Sequence, residues 1–180
     1  MLEAVPTILA SHDVQFIITG NGDQRERLVS LRDQLGLQDS VAFAGFLSKE
    51  DLQDEYSMCD IWVNPGIYDS WGDAEGLGVG SIEAYSYSKP VIASAVGGIP
   101  DTVVHGETGY LVPEKDSATL AKAICDLLAD PDKARRFGKN GYQFASKTFS
   151  WDTIIPRMEF LYRQVAAPNP SGEFPQAATT

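Results

Sequence analysis

The sequence predicts an α/β protein with a doubly wound parallel sheet, and two observations support this. Short apolar runs of strand type alternate along the chain with longer segments of helical periodicity. A helical connection brings successive strands into parallel pairing through right-handed crossovers, which places helices on both faces of the sheet. The chain has 180 residues, of which 43% are hydrophobic and 22% charged, so its size and composition fit one globular domain.

The first part of the chain alternates strand, helix and strand. Residues 14–20 (VQFIITG) form an apolar run that ends in glycine, which indicates a buried strand. Residues 23–36 carry leucines at helical spacing and end in glycine, a common C-terminal stop, so they predict a helix. Residues 40–45 (SVAFAG) predict a second short strand.

The middle of the chain continues the alternation. Residues 48–59 (SKEDLQDEYSMC) predict a helix in which Ser48 and Asp51 have capping-box spacing, although a shorter acid replaces the usual Glu or Gln. Residues 60–65 (DIWVNP) predict a strand closed by proline. A glycine-rich segment then leads into a short helix that begins near residues 79–81.

The last part of the chain predicts two strands followed by three helices. Residues 89–98 (KPVIASAVGG) form a strand that runs into a glycine turn, and residues 108–113 (TGYLVP) form a further strand. Residues 116–130 have helical leucine spacing, and two more helices are expected over 131–149 and 151–165.

The two ends of the chain do not fit the alternation. Residues 1–13 (MLEAVPTILASHD) resemble the second half of a helix, without a capping residue or a preceding strand. We therefore expect a domain over 1–165 that is truncated at its N-terminus. Residues 166–180 are rich in Pro, Ala, Ser and Thr, which predicts a disordered tail.

The charge of the chain argues against nucleic acid as a partner. The net charge is −11, and no basic stripe is present to displace counterions from phosphates. From residue 60 to residue 88 there is no lysine or arginine. An anionic ligand in this region would be held by backbone amides, or by cations from elsewhere in the fold.

The cysteines and the N-terminus predict a soluble, cytoplasmic protein. Cys59 and Cys125 are the only cysteines, and neither has metal-type spacing to His12 or His105. We expect two buried thiols in a reducing compartment and no metal. No apolar run is long enough to span a bilayer, and the first residues lack the basic start of a signal peptide.

Four glycine-containing loops are predicted at one edge of the sheet. In open α/β sheets ligands bind beyond the carboxyl ends of the strands. The loops expected there have the sequences GNGD, GFLS, PGIYDSWGDAEGLGVG and AVGGIPD. Their convergence indicates a ligand site more strongly than any one of them does.

The third loop carries two glutamates around a glycine run. Gly76, Gly78 and Gly80 precede a helix start, where free amides and the helix dipole suit a phosphate. Glu83 could accept hydrogen bonds from a vicinal diol such as a ribose, and Glu75 from a second polyol group. The pattern therefore suits a nucleoside-diphosphate sugar. A glycine-rich loop that merely enters a helix would explain the same residues without a ligand.

The segment EGLGVGSIE resembles the signature of retaining glycosyltransferases of the GT-B fold, family 4, in which two glutamates flank seven residues. The likeness extends over residues 2–165, through the strands before this segment, the segment KPVIASAVGGIPDTVVHGETGYLVP and the closing helix. It implies the C-terminal half of a GT-B fold, a Rossmann-like domain that binds the nucleotide-sugar donor.

The resemblance also implies roles for the residues of the loops. In the catalytic centre Glu75 would hydrogen-bond the donor sugar, and Glu83 would hold the ribose hydroxyls, neither acting as a nucleophile. The amides of the intervening residues would face the sugar or diphosphate: Gly76, Leu77 and Gly78. The base pocket and the cleft beside it would be bordered by four further residues: Gly20, Gly22, Phe46 and Leu47.

The chain departs from the family pattern in three respects. The Arg and Lys that clamp the diphosphate, and the acceptor-binding N-terminal domain, precede the first residue of this chain. Asp101 stands where Glu is commoner. The closing helix normally crosses back onto the missing domain, so Trp151, Phe160 and Tyr162 either face outward or belong to the core.

These departures leave several functions open. We expect a glycosyltransferase whose fragment is inactive alone, which uses no cofactor or metal and which associates with a membrane, if at all, through the missing domain. A nucleotide-sugar binding module without transfer activity is one alternative. A GT-B epimerase or phosphorylase is another, although neither further acid/base groups nor a persuasive pyridoxal lysine are evident.

Overall fold

A computed structural model of the protein describes residues 1–166, and the tail over 167–180 lies outside the described residues. The strands are β1 (Phe16–Thr19), β2 (Val41–Gly45), β3 (Trp62–Asn64), β4 (Val91–Ser94) and β5 (Gly109–Val112). The helices are α1 (Val5–Leu9), α2 (Arg25–Gln34), α3 (Lys49–Met58), α4 (Val79–Ser86), α5 (Ser117–Ala129), α6 (Pro131–Thr148) and α7 (Trp151–Ala166). Every strand and helix predicted from the sequence is present in the predicted order.

The N-terminal residues are helical, as their pattern predicts. A 3₁₀ turn over Leu2–Ala4 runs directly into α1. Val5 and Ile8 are fully buried in the main apolar cluster of the domain. This first helix is short, but its packing integrates it into the core.

All strand pairs are parallel, which confirms the α/β fold class. The strands form two hydrogen-bonded groups, β1–β2 and β3–β4–β5, and within residues 1–166 no ladder joins them. β1 and β3 therefore each have one unpaired edge, and Ile17 of β1 remains 49% exposed. Apolar packing holds the two groups together, because Phe16 and Val41 share one cluster with Ile92 and Val112.

Helices cover both faces of the three-stranded group. Side chains alternate between the faces of a strand, and in β4 Ile92 belongs to the cluster that includes α1 and α5. Its neighbours Val91 and Ala93 belong to a second cluster with α4 and the start of the fourth loop. Gly141 of α6 leaves room for the Tyr85 ring of α4, since a methyl group there would overlap it. The doubly wound arrangement is thus present.

The closing helix α7 has no buried residue. Trp151 is 71% exposed, Phe160 60% and Tyr162 66%, so these aromatic side chains face outward and the core alternative is wrong. The cysteines differ from expectation too, because Cys59 and Cys125 are free thiols that are only partly buried. Among the described residues no helix is long and apolar enough to cross a bilayer.

Candidate functional site

The four glycine-containing loops follow β1, β2, β3 and β4, at the carboxyl ends of the strands. The first loop covers 20–24, the second 46–48, the third 65–78 and the fourth 95–98. This position is where open parallel sheets bind ligands. The loops are arranged in two pairs, the first with the second and the third with the fourth.

The first loop is joined to the last residue of β2, directly before the second loop. The Gly20 N–H donates to the carbonyl oxygen of Gly45 at 2.6 Å. Gly20 has φ 95° and Gly45 φ 73°, backbone conformations that favour glycine. A cavity of about 210 Å³ opens here and is lined by Gly20, Gly22 and Arg25, among others. Arg25 is a cation at the loop edge that the sequence reasoning did not single out.

The predicted base-pocket residues lie outside this cavity. Phe46 is 85% exposed and Leu47 is partly buried, and neither lines the opening. A larger depression of about 560 Å³ lies on the outer face of α2, where all of its lining residues belong to that single helix. It begins at Arg25, directly after the first loop, but none of the predicted site residues lines it.

The third and fourth loops are joined more tightly. The Gly98 N–H donates to the carbonyl oxygen of Glu75 at 3.0 Å. The Gly97 N–H donates to the Tyr68 hydroxyl oxygen at 3.0 Å. A side chain on Gly98 would collide with the carbonyl group of Gly76. The glycine pair of the fourth loop thus fixes the backbone of Glu75 while its carboxylate remains exposed.

Asp69 organises the upper part of the third loop. Its Oδ1 accepts hydrogen bonds from the backbone of Trp71 at 2.7 Å and of Asp73 at 2.9 Å. The Tyr68 N–H donates to Glu114 Oε2 at 2.9 Å, which ties the loop to the segment after β5. Asp69 therefore stabilises the conformation of the loop. The Trp71 side chain in this loop is 88% exposed.

The N-terminus of α4 has no side-chain cap. Gly78 is the N-cap residue, with φ 72° and ψ 47°, and the first turn contains no acidic residue. A helix start without a capping side chain leaves amide donors for water or a ligand. The glycine run thus ends in a group of backbone donors, directly after Glu75.

Glu83 lies in the second turn of α4 and is held by a tyrosine from another helix. The Tyr56 hydroxyl of α3 donates to Glu83 Oε2 at 2.9 Å. Within residues 1–166 no hydrogen bond reaches the other carboxylate oxygen, and the side chain is exposed. Burial raises the pKa of Tyr56, as does its bond to the carboxylate. The sequence indicates that Tyr56 lies one turn after Leu52, but nothing local indicates its partner.

Tyr85 of α4 and Tyr87, the residue that caps the C-terminus of this helix, both pack against other side chains. Tyr85 is fully buried, and its hydroxyl forms a 2.8 Å hydrogen bond with Thr108 Oγ1. Burial raises its pKa to about 12. Tyr87 stacks on Tyr56 with ring centroids 5.5 Å apart. Neither ring is free to stack on a base.

The structure thus brings the predicted residues together in part. Glu75, Gly76 and Gly78 lie on one fastened loop, and Glu83 follows one turn into α4. Across the described chain no hydrogen bond connects this pair of loops directly with the first pair. The helices that follow the second and third loops are connected instead, through Tyr56 and Glu83. No cluster of three or more potential metal ligands occurs in residues 1–166.

Comparison of the sequence with curated proteins finds glycosyltransferases. A GDP-mannose-dependent alpha-(1-6)-phosphatidylinositol monomannoside mannosyltransferase of Mycobacterium tuberculosis is 32% identical over 170 residues, which cover 93% of this chain and 44% of that protein. The chain therefore spans less than half the length of this relative.

Solved structures share the fold. Sucrose-phosphate synthase from Thermosynechococcus elongatus matches with a TM-score of 0.77 and 37% identity, over 91% of this chain and 42% of that one. HepE from Anabaena, in complex with UDP-glucose, matches with a TM-score of 0.74 and 26% identity, over 90% and 44%.

A third structure corresponds to a single domain. The C-terminal domain of a glycosyl transferase group 1 family protein from Francisella tularensis matches with a TM-score of 0.72 and 25% identity, over 83% of this chain and 77% of that one. The fold is accordingly that of the C-terminal domain of a GT-B glycosyltransferase. The family model of glycosyl transferases group 1 matches residues 1–144, and the chain belongs to this family.

Proposed function

We propose that the chain is the donor-binding half of a retaining glycosyltransferase that transfers a sugar from a nucleoside-diphosphate sugar. The observation that carries this is the fastening of the third loop by the fourth. It fixes the backbone of Glu75 immediately before the uncapped start of α4, with Glu83 in the next turn. Carboxylates and free amides in this order match the hydroxyl, diphosphate and hydroxyl groups of such a donor.

Each residue receives a role from the chemistry of its position. The amides of Gly76, Leu77 and Gly78 and the first turn of α4 would hold the diphosphate, since helix starts favour anions. Glu83 would accept hydrogen bonds from the ribose hydroxyls through its free oxygen. Glu75 would accept hydrogen bonds from the donor sugar.

The remaining contacts would come from the other pair of loops. Gly20 and Gly22 would border the nucleotide cleft, while the exposed Phe46 and Leu47 would approach the base. Arg25, which lines the cavity beside the two glycines, would add a positive charge to a region whose third loop has none. No step in this scheme requires a metal or a cofactor.

A retaining transfer would proceed on one face of the sugar. The acceptor hydroxyl oxygen would form a bond to the anomeric carbon as the bond to the diphosphate oxygen breaks. The departing diphosphate would take the hydroxyl proton, so neither glutamate needs to form a covalent bond. In this scheme both carboxylates act as hydrogen-bond acceptors, and neither acts as an acid or a base.

Transfer would also need an acceptor-binding domain. The chain spans 44% of the length of the mannosyltransferase relative. The remaining part of that relative is long enough for a second domain. The relative is named for GDP-mannose and the Anabaena structure contains UDP-glucose, so both nucleotides are donor candidates here. A cytoplasmic protein that reaches membrane acceptors through the other domain would fit this scheme.

Calorimetry tests the donor role of Glu83. The protein is titrated with UDP, GDP and ADP and with their sugars, first as wild type and then as Glu83→Ala. We expect one nucleotide series to bind and the substitution to weaken it by about tenfold or more, because hydrogen bonds to a charged group contribute roughly 1.5–3 kcal/mol.

A matched control separates this effect from a change in net charge. Glu26→Ala removes an exposed carboxylate from α2, and it should leave nucleotide binding unchanged. Absence of heat with every nucleotide, or equal affinity in wild type and Glu83→Ala, would contradict the proposal. The gene sequence upstream of this chain provides an independent check of the transfer activity. A Rossmann-like domain there that ends in an Arg and Lys segment would support it.

A further inference from the structure

We propose that Tyr56 is a positioning residue that orients Glu83 for the ribose hydroxyls of the donor. The inference rests on the proposed ribose role of Glu83. Tyr56 belongs to α3, whereas Glu83 belongs to α4, and the two are 27 residues apart in the chain. Their hydrogen bond of 2.9 Å thus connects the helix after the second loop with the helix after the third.

The hydrogen bond makes the two carboxylate oxygens of Glu83 different from each other. Oε2 accepts the proton of the Tyr56 hydroxyl, and in the described part of the chain Oε1 has no such partner. An ionised carboxylate can accept about four hydrogen bonds, so this contact leaves capacity for a diol. A glutamate on an exposed helix surface would otherwise sample many rotamers, and binding would have to restrict them.

The tyrosine itself is rigidly held. Its ring is only 8% exposed and stacks on Tyr87 at an interplanar angle of 12°. The Trp62 side chain also lies beside the Tyr56 hydroxyl. Gly80, one turn before Glu83, leaves space for the Trp62 indole, because a methyl group there would lie 2.5 Å from Cζ2. Aromatic packing therefore determines where the hydroxyl points.

The hydroxyl remains a donor throughout the physiological pH range. Burial and the neighbouring carboxylate both raise the pKa of Tyr56 above its ordinary value. A phenol in this environment keeps its proton, and Oε2 remains occupied. The free oxygen of Glu83 is consequently held in one orientation before a nucleotide arrives.

Tyr56→Phe tests this role because it removes the hydroxyl and keeps the ring. The probe is UDP or GDP, whichever binds the wild type, together with the 2′,3′-dideoxy form of the same nucleotide. In wild type we expect the ribose form to bind about tenfold more tightly than the dideoxy form, since Glu83 bonds only to the former. In Tyr56→Phe this ratio should fall about threefold or more, while the affinity for the dideoxy form remains unchanged.

A merely structural role would weaken both nucleotides equally, and that result would overturn the inference. Tyr87→Phe is the matched control, because it keeps the stacked ring and its hydroxyl has no bond to Glu83. In a Glu83→Ala background, Tyr56→Phe should cause no further loss. Thermal unfolding of each variant verifies that the fold is retained.

The two levels of the proposal fail in different ways. If the wild type binds nucleotide but does not distinguish ribose from dideoxyribose, the ribose role of Glu83 is wrong and the positioning role is overturned with it. If the wild type distinguishes them and Tyr56→Phe does so equally well, the positioning role alone is wrong.

Discussion

Glu75 and Glu83 are held in different ways, although both flank the same glycine run. The backbone of Glu75 is fixed by Gly98, while its side chain has no hydrogen bond in residues 1–166. The side chain of Glu83 is fixed by Tyr56 through one oxygen. A substitution at Glu75 therefore leaves the loop intact, and its effects report on a ligand rather than on folding.

Glu75→Gln should weaken only the part of binding that depends on the sugar. The amide retains the shape of the side chain but replaces a charged acceptor, so the affinity for a nucleotide sugar should fall about tenfold. The affinity for the nucleotide alone should not change. Calorimetry with UDP and UDP-glucose, or with GDP and GDP-mannose, measures the two values.

Glu107→Gln is the control for this substitution, since Glu107 is an exposed acid in the loop before β5. It should alter neither affinity. An equal loss for the nucleotide and the nucleotide sugar in Glu75→Gln would mean that Glu75 does not contact the sugar.

At the scale of elements, local patterns were sufficient wherever the partners are close in sequence. The predicted cap of α3 is confirmed, because Ser48 Oγ accepts from the Asp51 N–H at 3.1 Å. The shorter carboxylate of Asp51 accepts the Ser48 hydroxyl hydrogen at 2.8 Å. The bonds from Tyr56 to Glu83 and from Gly98 to Glu75 join distant segments, and no periodicity or spacing indicates such partners.

The unpaired edges of β1 and β3 could not be predicted for a similar reason. Apolar runs identify strands, but they do not specify which strands exchange hydrogen bonds. The outward direction of α7 was left open because its apolar spacing also suits a core helix. The glycines after the strands were predictable as turn residues, whereas their fit against the neighbouring loop depends on the tertiary structure.

The junction of the third and fourth loops gives a stability prediction. Gly98→Ala would place a methyl group against the carbonyl of Gly76. The loops must move apart, and we expect a loss of about 1–3 kcal/mol in the free energy of unfolding, as for overpacked sites. Urea unfolding measures the loss. Nucleotide binding should weaken in parallel, since the same movement displaces Glu75 and the start of α4.

Gly22→Ala is the matched control, because a methyl group on Gly22 would meet no atom within 4 Å. It should change the free energy of unfolding by less than about 0.5 kcal/mol, the usual range for surface positions. Similar stability in Gly98→Ala and Gly22→Ala would mean that the loop contact is not tight.

At the scale of the whole molecule, two features stand out: the share of its relatives that the chain covers, and the surface of α7. The region aligned with the mannosyltransferase relative covers 93% of this chain but only 44% of that protein. The described chain also presents a helix, α7, whose aromatic side chains face outward. The net charge of the chain is −11. The hydrogen bonds that hold Glu75 and Glu83, in contrast, lie within residues 1–166, so the contribution of these two residues to donor affinity can be measured on this chain.

Two buried tyrosines predict how the stability of the whole domain responds to alkaline pH. Burial raises the pKa of Tyr56, and it raises the pKa of Tyr85 to about 12. Below about pH 10 both phenols are protonated in the folded and unfolded states, so the contribution to stability is fully present. Above pH 10 the unfolded chain releases these protons while the folded protein retains them, and the free energy of unfolding falls as pH rises.

The size of this effect follows from the shift of Tyr85. One pH unit corresponds to about 1.4 kcal/mol per proton, so the loss attributable to Tyr85 would approach roughly 2–3 kcal/mol by pH 12. Urea unfolding at pH 9, 10 and 11 should give a steeper decline for the wild type than for Tyr85→Phe. Tyr142→Phe, which removes a hydroxyl from a ring that is 48% exposed, should decline as the wild type does. Equal slopes for all three proteins would show that the Tyr85 hydroxyl is accessible to solvent, contrary to its complete burial and its hydrogen bond with Thr108.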